Sequence, residues 1–425
     1  MWARLAACAL VLLLCGCGAS PPERQTLRFW AMGRESEVVE KLLPEFERLH
    51  PGIRVEVQQI PWTAAHEKLL TAFAGGALPD LCQLGNTWLP EFVALNALAG
   101  LEAKVAASRT IAAEDYFPGI WETNIVEGGL YGVPWYVDTR LIFYRTDLLR
   151  KAGFAVPPRT WDEWARQLAA VKREAGPKRY AILLPLNESE PLLALALQEH
   201  ARLLRDDGRW GGFSGPGFRR ALEFYVEMFR KGWAPAVAGT EISNVWTEFG
   251  RGYFSFYISG PWNIEAFKTR LPQKVQDDWM TAPLPGPGGP GLSTAGGASL
   301  VVFRSSRHQG AAWQLIEYLS QPAVQARFHE LSGDLPPRRS AWQDERLSRD
   351  VYAKAFREQL ERVRAAPKVP EWERIVNEMQ FAAERVVRGQ AGIDEATRDL
   401  DARVDAILAK RRWMLARHGL EKEGR

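Results

Sequence analysis

The sequence is poor in cysteine. It has four, and Cys8, Cys15 and Cys17 all fall within the first seventeen residues. Only Cys82 lies further along, so a chain processed ahead of Cys17 can form no intrachain disulfide once Cys17 is modified. Cys82 sits in the apolar run DLCQL and reads as a small buried hydrophobe rather than a nucleophile. A charge imbalance is missing too: 54 Lys and Arg stand against 51 Asp and Glu, a formal +3. Such a chain carries no electrostatic footprint for nucleic acid, and Arg338-Arg339 and Lys410-Arg411-Arg412 read as solvated faces. No HExxH, GxSxG or GxxxxGK(S/T) occurs, and His66 and His200 lack metal-ligand spacing. The glycine run at 286–291 is interrupted by proline and follows no strand, so it reads as a loop. Neither a metal, nor a cofactor, nor a catalytic residue is expected.

A run long enough to cross a bilayer is also lacking. The apolar stretch 5–14 is half the roughly 20 residues required. Preceded by Arg4, it reads as the core of a signal peptide over 1–16. The sequence Leu14-Cys15-Gly16-Cys17 resembles the bacterial lipobox, which makes Cys17 the expected lipidation site and 17–25, with Pro21-Pro22, a tether. The implied address is the cell envelope, on the periplasmic side, with membrane contact through the lipid anchor only.

What remains is a chain with room for two domains: 425 residues, 46% hydrophobic, 25% charged. Residues 27–32 read as a strand and 35–49 as one helix, with Val38, Leu42, Phe46 and Leu49 on one face. His50-Pro51-Gly52 stops that helix, and 53–60 alternates as a second strand. Thr63 is the expected N-cap of the next helix, which ends at Gly75-Gly76. A third strand covers 81–84, and Asn86 begins another helix. This alternation predicts a parallel sheet with ligand at the carboxyl ends of its strands, near 32–37, 61–63 and 85–88. Further on, Thr160 caps a helix over 161–173, and 253–259 is a buried strand ending at Gly260-Pro261-Trp262. Residues 283–291 form a Pro/Gly loop, and the last ninety residues are mostly helical.

The stretch 130–147, LYGVPWYVDTRLIFYRTD, organises the reading. Residues 133–144 look like one strand, yet Asp138 and Arg140 interrupt the apolar run and require partners. Residues two apart on a strand share a face, so the two can pair with each other or meet a ligand. Trp135 and Tyr136 set aromatic rings beside a fixed carboxylate, a combination suited to the C–H face and hydroxyl rim of a sugar. Seventeen tryptophans offer more platforms. Trp88, Trp262 and Trp372 are candidates, each with a core role as the alternative, and Trp262 leads because it follows a strand end. Glu35, Thr63 and Asn86 stand at helix starts, where dipole or capping roles compete with ligand contact. Arg338 follows two prolines and is either a ligand contact or a surface residue.

In order along the chain, LRFWAMGRESEVVEKLLPEFERLHPGIRVEV, LPDLCQLGNTWLPEF, the stretch above, GPWNI, STAGG, LPPR and PKVPEW resemble the extracellular solute-binding proteins of ABC sugar importers, of the kind that bind maltose and trehalose. The resemblance implies an α/β, periplasmic-binding-protein-like fold: two α/β lobes joined by a multi-segment hinge, ligand in the interlobe cleft. Lobe 1 is expected over 26–136 and 283–335, lobe 2 over 137–282 and 336–425, with crossings near 138, 281–285 and 335–338. It implies ligand contacts at Glu35, Thr63, Tyr136 with Asp138, Arg338 and the pair Gly296-Gly297. Gly85 and Ala298 depart from the trehalose/maltose pattern, where Asp and Trp can stand; Asn86 or Trp88 take over here. The implied role is that of the substrate-binding component, a monomer that closes on a neutral di- or oligosaccharide and delivers it to transmembrane permease subunits served by a separate ATPase. The alternatives are a secreted carbohydrate-active hydrolase, with Glu35 and Asp138 as its acids, and a binder of a non-sugar solute such as a polyamine.

Overall fold

A computed structural model describes residues 24–423, and 24–417 with their side chains. The expected signal peptide, the Cys17 lipidation site and all but the end of the tether lie outside the described residues.

The first lobe begins as the periodicity predicts. Strand β1 (Gln25–Met32) leads into helix α1 (Gly33–Glu40), α2 (Leu43–Leu49), β2 (Ile53–Ile60), α3 (Trp62–Ala74) and β3 (Leu81–Gly85). The single helix expected over 35–49 is two. Pro44 lies in the first turn of α2, and a proline ring blocks the carbonyl four residues earlier. Thr63 is not an N-cap: Pro61 holds that position and Thr63 sits exposed in the first turn of α3. Its hydroxyl, two residues inside the helix, has no role in starting it.

The sheet is mixed rather than parallel. β1 pairs in parallel with β2 and β3, but β3 is followed by an antiparallel strand from far along the chain, giving five strands in one sheet. The remaining strands of the two main sheets, in chain order, are β4 (Val133–Asp138), β5 (Leu141–Arg145), β6 (Ile182–Leu183), β7 (Phe256–Ser259), β8 (Trp279–Ala282) and β9 (Gly296–Val302). The first sheet runs β2-β1-β3-β9-β4 and the second β8-β5-β7-β6. The expected single strand over 133–144 is therefore split between the two sheets at Thr139-Arg140, and that break is the first crossing.

Each sheet is covered on both faces, the arrangement that lets apolar strands bury both sides. Under the first sheet, Phe29, Val38, Phe46 and Trp135 pack with Ile316 and Phe328 from the helices Gln309–Leu319 and Pro322–Ser332. Met32, Leu69, Leu84 and Phe92 fill its other face. The second sheet packs Trp164, Phe218, Trp372 and Leu400 on one side and Phe143, Phe267, Trp279 and Phe356 on the other. Each such fully buried side chain contributes roughly 1.5–3 kcal/mol. Helix α4 (Trp161–Ala175) starts on the expected Thr160, whose hydroxyl accepts from the Glu163 amide in a reciprocal capping box.

Where the sheets meet, backbones come close. A Cβ on Gly296 would lie 2.1 Å from the Asp138 carbonyl, and one on Gly297, at φ +137°, 2.3 Å from that of Tyr136. Only glycine lets β9 press against the end of β4 here. The third crossing lies alongside: the Val137 amide donates to the Leu335 carbonyl at 2.9 Å.

Candidate functional site

A cleft of about 630 Å³ opens between the two sheets at the strand ends. The first lobe supplies Glu35 from the opening turn of α1, Trp62 from the opening turn of α3, and Asn86, Thr87 and Trp88 from the short 3-10 turn after β3. The crossings supply Tyr136, Asp138, Arg140, Gly296, Gly297 and Asp334. The second lobe supplies Glu190, Trp262, Trp372 and Glu373, each in the first turn of a helix or beside it.

The chemistry is acid-rich. Glu35, Asp138, Asp334, Glu190 and Glu373 line the cleft, and Arg140 is the one cation among its described lining residues. Asp138 Oδ1 lies 3.6 Å from Arg140 Nε, an ion pair without a hydrogen bond, and neither atom has another partner among the described residues. Burial pushes the Asp138 carboxyl above its usual range while Arg140 pulls it down. The Arg140 guanidinium rests 4.4 Å from the centroid of Trp262, a cation–π contact that leaves the charge fixed at the cleft wall. Burial also raises Glu35, against the pull of Trp62 and Asp334 beside its carboxyl. Asp334 is raised further, by burial first and then by the charges of Glu35 and Asp138. A ligand that donates hydrogen bonds relieves this crowding, since a carboxylate accepts from two hydroxyls at once.

Aromatic surfaces stand on both walls. Trp62 meets Trp88 edge-on at 5.7 Å, and His66, held by Glu91 at 2.6 Å, backs Trp88 at 5.2 Å. Opposite them Trp262 is 38% exposed, which leaves part of the indole free beyond the area Arg140 covers. Beside the cleft, Thr87 Oγ1 donates to Glu373 at 2.7 Å, and Lys368 reaches Glu122 and the Ile125 carbonyl, contacts that join the two lobes.

Ten sequence candidates meet in this cleft: Glu35, Asn86, Trp88, Tyr136, Asp138, Arg140, Trp262, Gly296, Gly297 and Trp372. Two of them are mostly structural. Trp372 is 2% exposed within the second-lobe core, and Asn86 spends its amide on the Ala295 carbonyl at 2.7 Å. Three candidates lie elsewhere. Thr63 faces solvent, and its neighbour Trp62 lines the cleft instead. Trp135 is core, 1% exposed with its ring centroid 4.6 Å from that of Phe328; β4 bulges against β9 here, so Tyr136 also stacks on Phe328, at 6.1 Å, but it and Asp138 line the cleft and Trp135 does not. Arg338 is buried and bound, its Nε donating to Asp115 Oδ2 at 2.7 Å and its Nη1 to the Ser320 carbonyl. Burial opposes the Asp115 charge, but hydrogen bonds from Ser340 and Arg338 outweigh it and hold that carboxyl below its usual range. The sequence reading missed Trp62, Asp334, Glu190 and Glu373. Glu373 follows Trp372 in the PEW motif, and Trp62 precedes the misassigned cap. Asp334 has no local signal, since its neighbours come from other segments.

Residues 33–326 match the family described as bacterial extracellular solute-binding protein. The chain is 60% identical to the sugar-binding protein MalE from the phytopathogen Xanthomonas citri, whose structure superposes with a TM-score of 0.90, covering 92% of this chain and 99% of that one. It is 23% identical over 390 residues to the diacetylchitobiose-binding protein DasA of Streptomyces coelicolor, covering 89% of each. It is 29% identical over 341 residues to a lipoprotein of Streptomyces antibioticus, covering 76% of this chain and 73% of the relative.

Proposed function

The chain belongs to the family of bacterial extracellular solute-binding proteins, and from that premise we propose that it binds a neutral di- or oligosaccharide of maltose or trehalose type between its lobes. The observation that carries this reading is the cleft itself: acids from both lobes and the crossings, indoles on both walls, and a single arginine. Hydroxyl-rich ligands match many acceptors, and the indoles match their C–H faces. An anionic sugar would meet five carboxyl groups and one guanidinium, an unfavourable balance in a partly dry site. The 60% identity to a sugar-binding protein supports the same class.

Closure follows from geometry. A sugar that touches both walls makes more contacts when the lobes approach, so binding shifts the population toward the closed form. The flexing segments in this reading are the three crossings: Thr139-Arg140, the chain leaving β8 at 281–285, and 335–338. A separate permease pair with its own ATPase then receives the sugar, and Cys17 carries the lipid that keeps the protein at the envelope. In this reading Glu35, Asp138, Arg140, Trp88 and Trp262 hold the ligand, and the chain performs no catalysis.

The test is thermal melting and Trp fluorescence of the purified mature chain with maltose, trehalose, galactobiose and diacetylchitobiose. A rise in melting temperature with at least one neutral sugar is expected. Native mass spectrometry of protein purified without refolding weighs any carried ligand directly. The same acid excess favours one second reading, a cationic solute: a polyamine that binds where no neutral sugar does would replace the sugar assignment. Release of reducing sugar during incubation would instead bring back the hydrolase.

A further inference from the structure

Gln83 is fully buried in β3 and lies outside the cleft lining, yet it touches the cleft through one side chain. Its amide has two ends with opposite chemistry, and the surroundings decide which points where. The Met32 backbone N–H donates to Gln83 Oε1 at 2.7 Å. A backbone N–H can only donate, so the oxygen must face Met32 and the NH₂ must face the other way. Gln83 Nε2 then donates to the Tyr136 hydroxyl oxygen at 2.8 Å. That bond settles the role of Tyr136 as well. Its oxygen accepts from Gln83, so its own proton must be spent elsewhere, and no acceptor stands within hydrogen-bond reach of it among the described residues. Tyr136, though only 6% exposed, lines the cleft beside Glu35, Asp138 and Asp334, and the cleft is where a further acceptor can reach it. Burial and those three carboxyl groups also raise the Tyr136 pKa, so the proton stays on.

We propose that Gln83 is a positioning residue that commits Tyr136 to donating into the cleft, so that this point of the site reads an acceptor-only oxygen of the bound sugar. Hydroxyls can satisfy a carboxylate by donating, but the ring and glycosidic oxygens of a disaccharide can only accept. Acids on the same wall read the former, and Tyr136 reads the latter. The inference rests on the sugar reading above for its ligand, but not for the direction of the two hydrogens.

The test has two arms. In the first, titration calorimetry measures maltose, trehalose, galactobiose and diacetylchitobiose, and the tightest binder is carried into a cycle of Tyr136→Phe, Gln83→Met and the double variant. Tyr136→Phe is expected to weaken binding by about 10-fold, the span of one hydrogen bond. Gln83→Met should weaken it about fivefold, and adding it to Tyr136→Phe should cost less than about twofold more. A merely structural Gln83 would give the same loss in both backgrounds, and that result overturns the proposal. The second arm is neutron diffraction from the unliganded wild-type protein after deuterium exchange. It should show two deuterons on the Gln83 atom facing Tyr136 and the Tyr136 deuteron directed into the cleft. A Tyr136 deuteron directed at Gln83 overturns the proposal whatever the ligand is. If none of the four sugars binds wild-type protein, the sugar reading is what fails, and the neutron arm alone decides the Gln83–Tyr136 arrangement.

Discussion

Asp334 and Arg338 stand four residues apart on the third crossing, both at 6% exposure, and they have opposite surroundings. Arg338 is surrounded by what a guanidinium needs: a carboxylate in Asp115, the Ser320 carbonyl, and the Tyr116 ring 5.5 Å from its centre. Asp334 is surrounded by what a carboxylate avoids, namely Glu35 and Asp138, and burial drives it toward its neutral form. A buried ion that is fully paired fixes where the crossing sits. Buried acids crowded together, with Asp138 Oδ1 lacking any hydrogen-bond partner among the described residues, leave unspent acceptor capacity that an incoming donor can use. The first arrangement fixes structure, and the second is what the proposed ligand site requires. Charge type and depth of burial alone would not have separated them.

The sharpest way to break the comparison is to remove Arg338. Arg338→Met leaves Asp115 without its cation and the Ser320 carbonyl without its donor. Breaking such a pair costs about 3 kcal/mol, the lower end of the range for buried pairs because Asp115 keeps some access to water. Urea melts should show that loss, while the folded fraction binds sugar with unchanged affinity. A weakened affinity in protein that is still folded would return Arg338 to the ligand set. Asp138→Ala works in the opposite sense. Charge-assisted hydrogen bonds are worth about 1.5–3 kcal/mol, so affinity should fall by about 10- to 150-fold with little loss of stability. Titration calorimetry beside thermal melts separates the two effects.

These two residues also show what the sequence made legible. Period-2 and period-3.6 patterns located β1, β2, β3 and α4 to within a residue or two, because burial of one face leaves its mark locally. An acid and a base among apolar neighbours marked Asp138 and Arg140, since their cost is visible from sequence alone. Antiparallel β9 beside β3 was not visible, because the partners lie more than 200 residues apart. Arg338 was misplaced and Asp334 was missed for the same reason. Asp115 and Glu35, which decide their roles, are remote in sequence, and two prolines beside an arginine look alike whether the arginine faces ligand or core. Trp135 was misplaced because both rings pack on Phe328 at a bulge set by β9, a partner remote in sequence, and only Tyr136 also lines the cleft.

Asp334→Asn tests the other half of the comparison and should have a smaller effect. An acid whose folded-state pKa is raised contributes most to stability below its ordinary value of 3.8, and that contribution is lost as pH rises through the folded-state pKa. Asparagine keeps the shape and removes the penalty. The variant should therefore melt above wild type by about 1–2 °C at pH 8, with the gap closing as pH falls toward the ordinary aspartate range. A gap that is constant with pH would mean that Asp334 does not titrate between the two states.

The smallest effect is expected one residue from a large one. Thr63 and Trp62 share the first turn of α3, but the helix rotates successive side chains by about 100°, so only one of the two can face the cleft. Trp62 lines it against Trp88, and Thr63 is exposed with no capping bond to lose. Thr63→Ala should therefore change stability by less than about 0.5 kcal/mol, as exposed substitutions usually do, and change sugar affinity by less than twofold. Trp62→Ala should weaken binding by several-fold, because it removes one indole and the edge contact that steadies the other. Parallel calorimetry on the two variants decides between neighbours. Equal losses would mean that the helix start acts as a unit, and a loss confined to Thr63→Ala would restore the threonine as the contact and turn the Trp62 indole into scaffold.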